Sequence, residues 1–156
     1  MADDWQQAVR DLLDCSRIAF LATAGDHGPE TSMAPYAIWQ GDVLLHLSGL
    51  ARHTANIRRD PRLGLMICTP ETMADSPLAL PRISLVGRIA AVAEPQLAEA
   101  RHAYLHRTPD AESLFTFADF CLYRLAVERI HWVGGFGMAR TISRQRWCGL
   151  FESNGT

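Results

Sequence analysis

Lysine is absent from this chain of 156 residues; its fifteen Lys/Arg-class side chains are all arginine. That excludes the chemistry that needs a lysine amine: the phosphate lysine of a P-loop, a Schiff-base lysine, and a Ser-x-x-Lys nucleophile pair. Any bound anion must be met by arginine, histidine, hydroxyls or backbone amides. The four cysteines, Cys15, Cys68, Cys121 and Cys148, form no C-x-x-C pair. Neither a zinc knuckle nor a thioredoxin-type motif is therefore indicated, and they read as isolated reduced thiols. No apolar run reaches the roughly 18–20 residues of a membrane span. The start, MADDWQQAVRDLLDCS, is acidic and amphipathic, without the basic and apolar regions of a signal peptide. A cytoplasmic protein that engages no membrane is the expectation. The net charge of −2 gives no overall basic field for nucleic acid.

What is present is an ordinary globular composition, 48% hydrophobic and 21% charged, which suits one domain over residues 1–156 with a real core. Trp5, Val9, Leu12 and Leu13 fall at i, i+4, i+7 and i+8, predicting a helix over 3–14. RIAFLAT (17–23) predicts a strand and AGDHGPE a turn. TSMAPYAIW (31–39) predicts a second strand, with Pro35 at an edge or a bulge. QGD is a hairpin turn into a third strand, VLLHLS (43–48). A short helix over 50–59 ends at Asp60-Pro61, because the residue before proline disfavours the helical region. Strands follow at 63–69, 82–93 and 121–133, with Gly87 a candidate bulge. Residues 70–81 read as a loop, 95–107 as a helix opened by Pro95, 110–118 as a second short helix, and GGFG (134–137) as a turn. The tail from 138 is weakly patterned, and Arg140, Arg144 and Arg146 read either as an exposed basic tail or as a second anion site.

The densest chemistry lies in HLSGLARHTANIRRDPR (46–62), where four arginines meet one acid, Asp60. A helix N-terminus offers unpaired N–H groups and partial positive charge, so a phosphate binds there readily. Ser48 is placed to cap the helix or touch the anion, and Gly49 permits close backbone approach. Arg52 and His53 put cations in the first turn, where cations are unfavourable unless an anion offsets them. The alternative is a solvated basic helix capped by Ser48. GGFG is not the G-x-G-x-x-G dinucleotide fingerprint. His102 and His106 share a helix face, as a surface pair or a ligand pair, without an H-E-x-x-H pattern; His131, in ERIHWVGGFG, is a further candidate ligand.

The order of GPETSMAPYAIW, LSGLARHTANIRRDPR, PRISLVGRIAAV and LYRLAVERIHWVGGFGMA resembles the pyridoxamine 5′-phosphate oxidase-like, FMN-binding split-barrel superfamily. It is most similar to that superfamily's haem iron utilisation branch. The resemblance spans roughly residues 17–140 and implies a mainly β (α+β) fold. The expected architecture is an antiparallel six-stranded split β-barrel with flanking helices, working as a homodimer. It implies a flavoprotein holding flavin mononucleotide (FMN), an oxidoreductase acting on a small-molecule substrate. By position, Arg52 and His53 would hold the flavin phosphate, with Thr54 and Asn56 as hydroxyl and amide positions of the haem-utilisation branch. Ser32, Met33 and Ala34 would flank the ring, Ser48 would lie near the phosphate, and Arg82 would add a contact. The branch also implies an alternative, a haem-binding protein using the same barrel without flavin turnover. The Arg and His residues with which the superfamily's oxidases grip substrate phosphate have no counterpart in GGFGMARTISRQRWCGLF.

Overall fold

The computed structural model describes residues 4–152. The first apolar stripe folds as α1 (Trp5–Cys15), with Trp5, Val9, Leu12 and Leu13 buried and Asp4 capping it by accepting from the Gln7 amide. Two-residue periodicity then takes over. β1 (Ile18–Gly25) alternates, with Ala19, Leu21 and Thr23 inward. It pairs along its whole length with β2 (Gly28–Pro35) across a two-residue turn, Asp26-His27. The turn is thus shorter than AGDHGPE suggests.

The predicted strand over 31–39 is two strands, not one. Proline at 35 cannot donate to a ladder, and Tyr36 is buried with its hydroxyl donating to Ser16 O at 2.6 Å. The chain turns there, and β3 (Ala37–Trp39) pairs instead with β4 (Asp42–Ser48). β2 and β3 end as the two edges of one sheet. Gln40 and Gly41 both carry positive φ, 55° and 76°, as a two-residue primed hairpin turn requires.

After α2 (Arg52–Arg59) come β5 (Arg62–Cys68), two 3₁₀ turns over 71–73 and 77–79, and β6 (Arg82–Ala91). The β6–β7 register shifts at Val86/Gly87, the expected bulge. There the carbonyl of Ala126 fills the place a Cβ on Gly87 would take. α3 (Glu94–Arg107) and a 3₁₀ segment over 109–116 lead to β7 (Phe120–Val133), which pairs β6 on one side and β4 on the other. The weakly patterned tail contains β8 (Ala139–Ile142), paired with β7, and α4 (Arg144–Cys148).

Among the described residues the sheet therefore has eight antiparallel strands rather than six, ordered β2-β1-β5-β6-β7-β4-β3 with β8 paired to β7. The two additional strands are β3, cut from its predecessor at Pro35–Tyr36, and β8, four residues too short for periodicity to show. The sheet is an open one, and its edge strand β2 comes back against β4. The main core lies between the sheet and α1, around Trp132, Ile67, Ile83 and Leu85. A second cluster packs α3 on Trp39, Leu44 and Leu122 through Ala100 and Tyr104. No helix is long and apolar enough to cross a membrane among the described residues.

Candidate functional site

The junction of β4 and α2 meets the inner face of the β1–β2 hairpin. Register puts Thr23 opposite Glu30 and Leu21 opposite Ser32, so Thr23, Glu30 and Ser32 share the face toward α2. Asn56 Nδ2 donates to Thr23 Oγ1 and to Glu30 Oε2, both at 3.0 Å. Arg52 Nη2 donates to Glu30 Oε1, also at 3.0 Å. Thr54 is fully buried and its Oγ1 donates to Ser48 O at 2.6 Å. Thr54 and Asn56 thus fasten the helix to the sheet.

These contacts say where the anion required by Arg52 comes from: it is Glu30, within the chain. The Asn56 hydrogen bond, with Arg52 adding its charge, holds the Glu30 carboxyl below the usual carboxylate range. The Glu30 side chain lies over Gly25, in the space that a Cβ there would need. Two of the other three arginines of the window also find acids: Arg59 meets Asp26, and Arg62 meets Asp60 at 2.6 Å. Ser48 does not cap the helix. The N-cap residue is Ala51, without a side-chain bond, while Ser48 Oγ donates to Asp119 Oδ2 at 2.9 Å and accepts from the Leu50 amide at 3.1 Å. That ties the junction to the start of β7.

His53 is half-buried, and its Nδ1 lies 2.9 Å from Ser32 Oγ. Burial lowers its pKa, favouring the neutral ring. Two clefts meet at this ring. One is polar, about 500 Å³, lined by Thr23, Glu30, Thr31, Ser32, Arg52 and His53. The other, about 330 Å³, is mostly apolar; Met33, Ala34, Leu47 and Phe120 line it together with His46 and Thr108. Of the nine positions singled out from sequence, eight gather here as lining residues or fasteners. Arg82 stands apart within the chain: it sits opposite Cys68 and Val133 and donates to Leu80 O at 3.1 Å.

The other candidates lie elsewhere. His102 and His106 are exposed on α3, His131 is exposed on β7, and no described group of three or more His, Cys, Asp or Glu could hold a metal ion. The tail arginines are not a free basic tail. Arg144 pairs with Asp42 at 3.1 Å, and Arg140 and Arg146 lie over the Trp5 ring. Sequence reasoning missed Glu30, Thr23, His46 and Thr108. His46 had a signal, a lone polar residue in the apolar run VLLHLS; Glu30 was hidden inside what read as a turn, and Thr108 had none.

An α+β fold on one open antiparallel sheet, with a paired cleft at one strand-to-helix junction, is the class that this arrangement defines, consistent with a split barrel. A family model described as CREG, beta-barrel, matches residues 5–149, and the chain belongs to that family. It is similar to the non-canonical heme oxygenase HOZ of Arabidopsis thaliana, 30% identical over 138 residues, covering 85% of this chain and 41% of that protein. It is also similar to the heme oxygenase HutZ of Vibrio cholerae, 29% identical over 130 residues, covering 79% of this chain and 72% of HutZ. The structure of a heme binding protein from Mycobacterium smegmatis superposes with a TM-score of 0.86 at 28% identity, covering 96% of this chain and 62% of that one. The chain thus spans about two fifths of the plant relative and less than two thirds of the mycobacterial chain. A Clostridium acetobutylicum protein of the pyridoxinephosphate oxidase family shares the fold alone, with a TM-score of 0.71 at 12% identity over 94% of this chain and 99% of that one. The chain is pyridoxamine phosphate oxidase-like in fold, and the HOZ, HutZ and mycobacterial proteins it is similar to are described as heme oxygenases or heme-binding.

Proposed function

We propose that this chain binds haem at the paired cleft, where His53 would hold the iron and Arg52 would meet a carboxylate of the group. One observation carries the reading. His53 is an imidazole kept toward its neutral form, fixed through Nδ1 by Ser32 at 2.9 Å, at the border of an apolar and a polar cleft. In the tautomer that donates from Nδ1, the lone pair sits on Nε2. A metal-binding histidine commonly has its other nitrogen fixed in this way. The apolar cleft suits the edge of a macrocycle. At about 330 Å³ it falls at the small end of ligand pockets, so the rest of the group would extend over the polar cleft. Haem, when bound, would supply oxygen chemistry at its iron, and the haem proteins among the relatives support extending that to a small-molecule role here. The chain's own residues would orient the ring, exclude water on the Leu47–Phe120 side and neutralise a carboxylate.

The flavin reading draws less support. A flavin phosphate calls for a cationic second residue beside Arg52, whereas burial disfavours the cationic form of His53. We further propose that a second copy of the chain covers the outer face of the β1–β2 hairpin. Phe20 and Met33 are cross-strand partners there, 46% and 53% exposed; Phe20→Glu should then shift the mass measured by light scattering from dimer to monomer.

Haemin titration with absorbance detection tests the site. The protein should give a Soret band typical of histidine ligation. His53→Ala should lose it, while alanine at His102, His106 or His131 should leave it unchanged. An unaltered spectrum and affinity in His53→Ala would refute the assignment. FMN uptake that depends on Arg52, with no Soret band, would restore the flavin reading.

A further inference from the structure

Among the described residues, two buried side-chain polar atoms have no hydrogen-bond partner, His46 Nδ1 and Thr108 Oγ1. They come from different elements, the middle of β4 and the junction after α3, 62 positions apart in sequence. Yet both residues line the same cleft of about 330 Å³. Both are more than nine-tenths buried, 7% and 8% exposed. Buried polar groups in native proteins are nearly always paired, and each failure calls for a partner that protein atoms do not supply. Two failures on one cavity wall point to one occupant.

The surroundings restrict that occupant. His46 is held in a ring cage, stacked on Phe115 at 3.8 Å and 7°, with Phe120 and Tyr104 tilted against it at 5.2 and 5.8 Å. The ring therefore cannot swing out to find water. The lining beyond it is apolar: Ala34, Leu47, Ala111 and Leu114. Charged and titratable groups stay at the margin, with exposed Asp110 and half-buried His53 on the lining and Arg101 against the outer ring, 4.9 Å from the Phe115 centroid. A charged ligand would lose its hydration here without gaining a buried counter-ion. An uncharged one with a donor and an acceptor would complete both orphaned groups.

We propose that this chamber is a binding site for a small, uncharged aromatic molecule carrying one hydrogen-bond donor and one acceptor, held between His46 and Thr108. It does not rest on the haem reading: the chamber is the cleft that the edge of haem would also enter, so the two ligands would compete for it, and the test uses the protein without haem.

The probes are benzamide, benzoate and benzamidine, three molecules of one shape with charges of 0, −1 and +1. Binding is followed at pH 7.5 by amide chemical shifts in a two-dimensional NMR titration. Benzamide should bind saturably, shifting the amides of residues 46–48 and 104–111, and about tenfold more tightly than either charged probe. His46→Phe keeps the ring stack and Thr108→Val keeps the shape. The double variant should therefore stay folded by circular dichroism and bind benzamide about tenfold more weakly. Thr108→Val alone serves as the variant if the double one melts early. No saturable benzamide shift, equal binding of all three probes, shifts that map elsewhere, or full affinity in the variants would each overturn the proposal. So would a high-resolution structure in which ordered water alone satisfies both groups and benzamide stays out.

Discussion

Asp42 and His46 are both buried on β4, four residues apart, and their polar atoms fare differently. Asp42 accepts from Arg124 Nε at 2.7 Å, from the Val127 amide at 3.1 Å and from Arg144 Nη2 at 3.1 Å. Three elements, β4, β7 and α4, are tied through one carboxylate. His46 has an unpartnered Nδ1 in a ring cage. The Asp42 corner is built for stability: a buried charge is tolerable only when paired and fully hydrogen-bonded. The His46 corner has given up stability, since an unsatisfied buried group costs about 1–3 kcal/mol. One strand thus carries a structural end and a binding end.

The largest expected effect breaks the structural end. Asp42→Ala leaves Arg124 and Arg144 without their shared carboxylate and should lower unfolding free energy by about 3–5 kcal/mol, read from urea denaturation. A loss under 1 kcal/mol would mean that the two corners do not differ as their hydrogen bonds suggest.

The next effect lies in pH. Burial, with Arg101 adding repulsion, pushes His46 down to about 4 from the usual 6.5. Between those values the unfolded chain binds the proton that the folded chain refuses, so stability rises with pH across the window. The contribution is complete above pH 6.5 and is lost as pH falls toward 4, at most about 3 kcal/mol. His46→Phe should flatten that part of the pH–stability curve, whereas His102→Phe, on the exposed face of α3, should not.

Third, Glu30→Gln should free Arg52 from its internal anion and raise haemin affinity by about fivefold at most, because an exposed pair is worth no more than about 1 kcal/mol. Unchanged affinity would mean that Arg52 meets no carboxylate of the ligand.

The legible parts of this molecule were those with local physics. α1 was readable because four apolar residues share a face. The Gly87 bulge was readable because an isolated glycine in a strand marks close backbone approach. The cationic first turn of α2 pointed to a bound phosphate, whereas the anion that Arg52 meets within the chain is Glu30, a pairing that depends on strand register twenty-two positions away. The break at Pro35–Tyr36 was half visible: proline signalled an edge, yet that the next residues join the opposite edge follows from the Tyr36 hydroxyl reaching back to Ser16. β8 escaped because four residues cannot establish a period. The arginines around it read as a tail because the partners that hold them, Asp42 and Trp5, lie about a hundred or more positions earlier.

The smallest effect sharpens the comparison most, because it uses one residue type in both settings. Thr54 and Thr108 are both buried, at 0% and 8% exposure. Thr54 Oγ1 donates to Ser48 O at 2.6 Å, whereas Thr108 Oγ1 has no partner. Replacing either with valine keeps the side-chain shape. At 54 the change removes a short hydrogen bond at the β4–α2 junction and should cost about 1 kcal/mol. At 108 it removes only an unsatisfied hydroxyl, so the cost should be near zero, or stability should rise by a few tenths of a kcal/mol. Thermal unfolding of the two variants beside the parent reads the difference directly. If Thr108→Val costs as much as Thr54→Val, the hydroxyl at 108 already has a partner of equal worth in the resting protein. The contrast between a satisfied and an unsatisfied corner would then collapse, and the case for a ligand between His46 and Thr108 would lose one of its two supports.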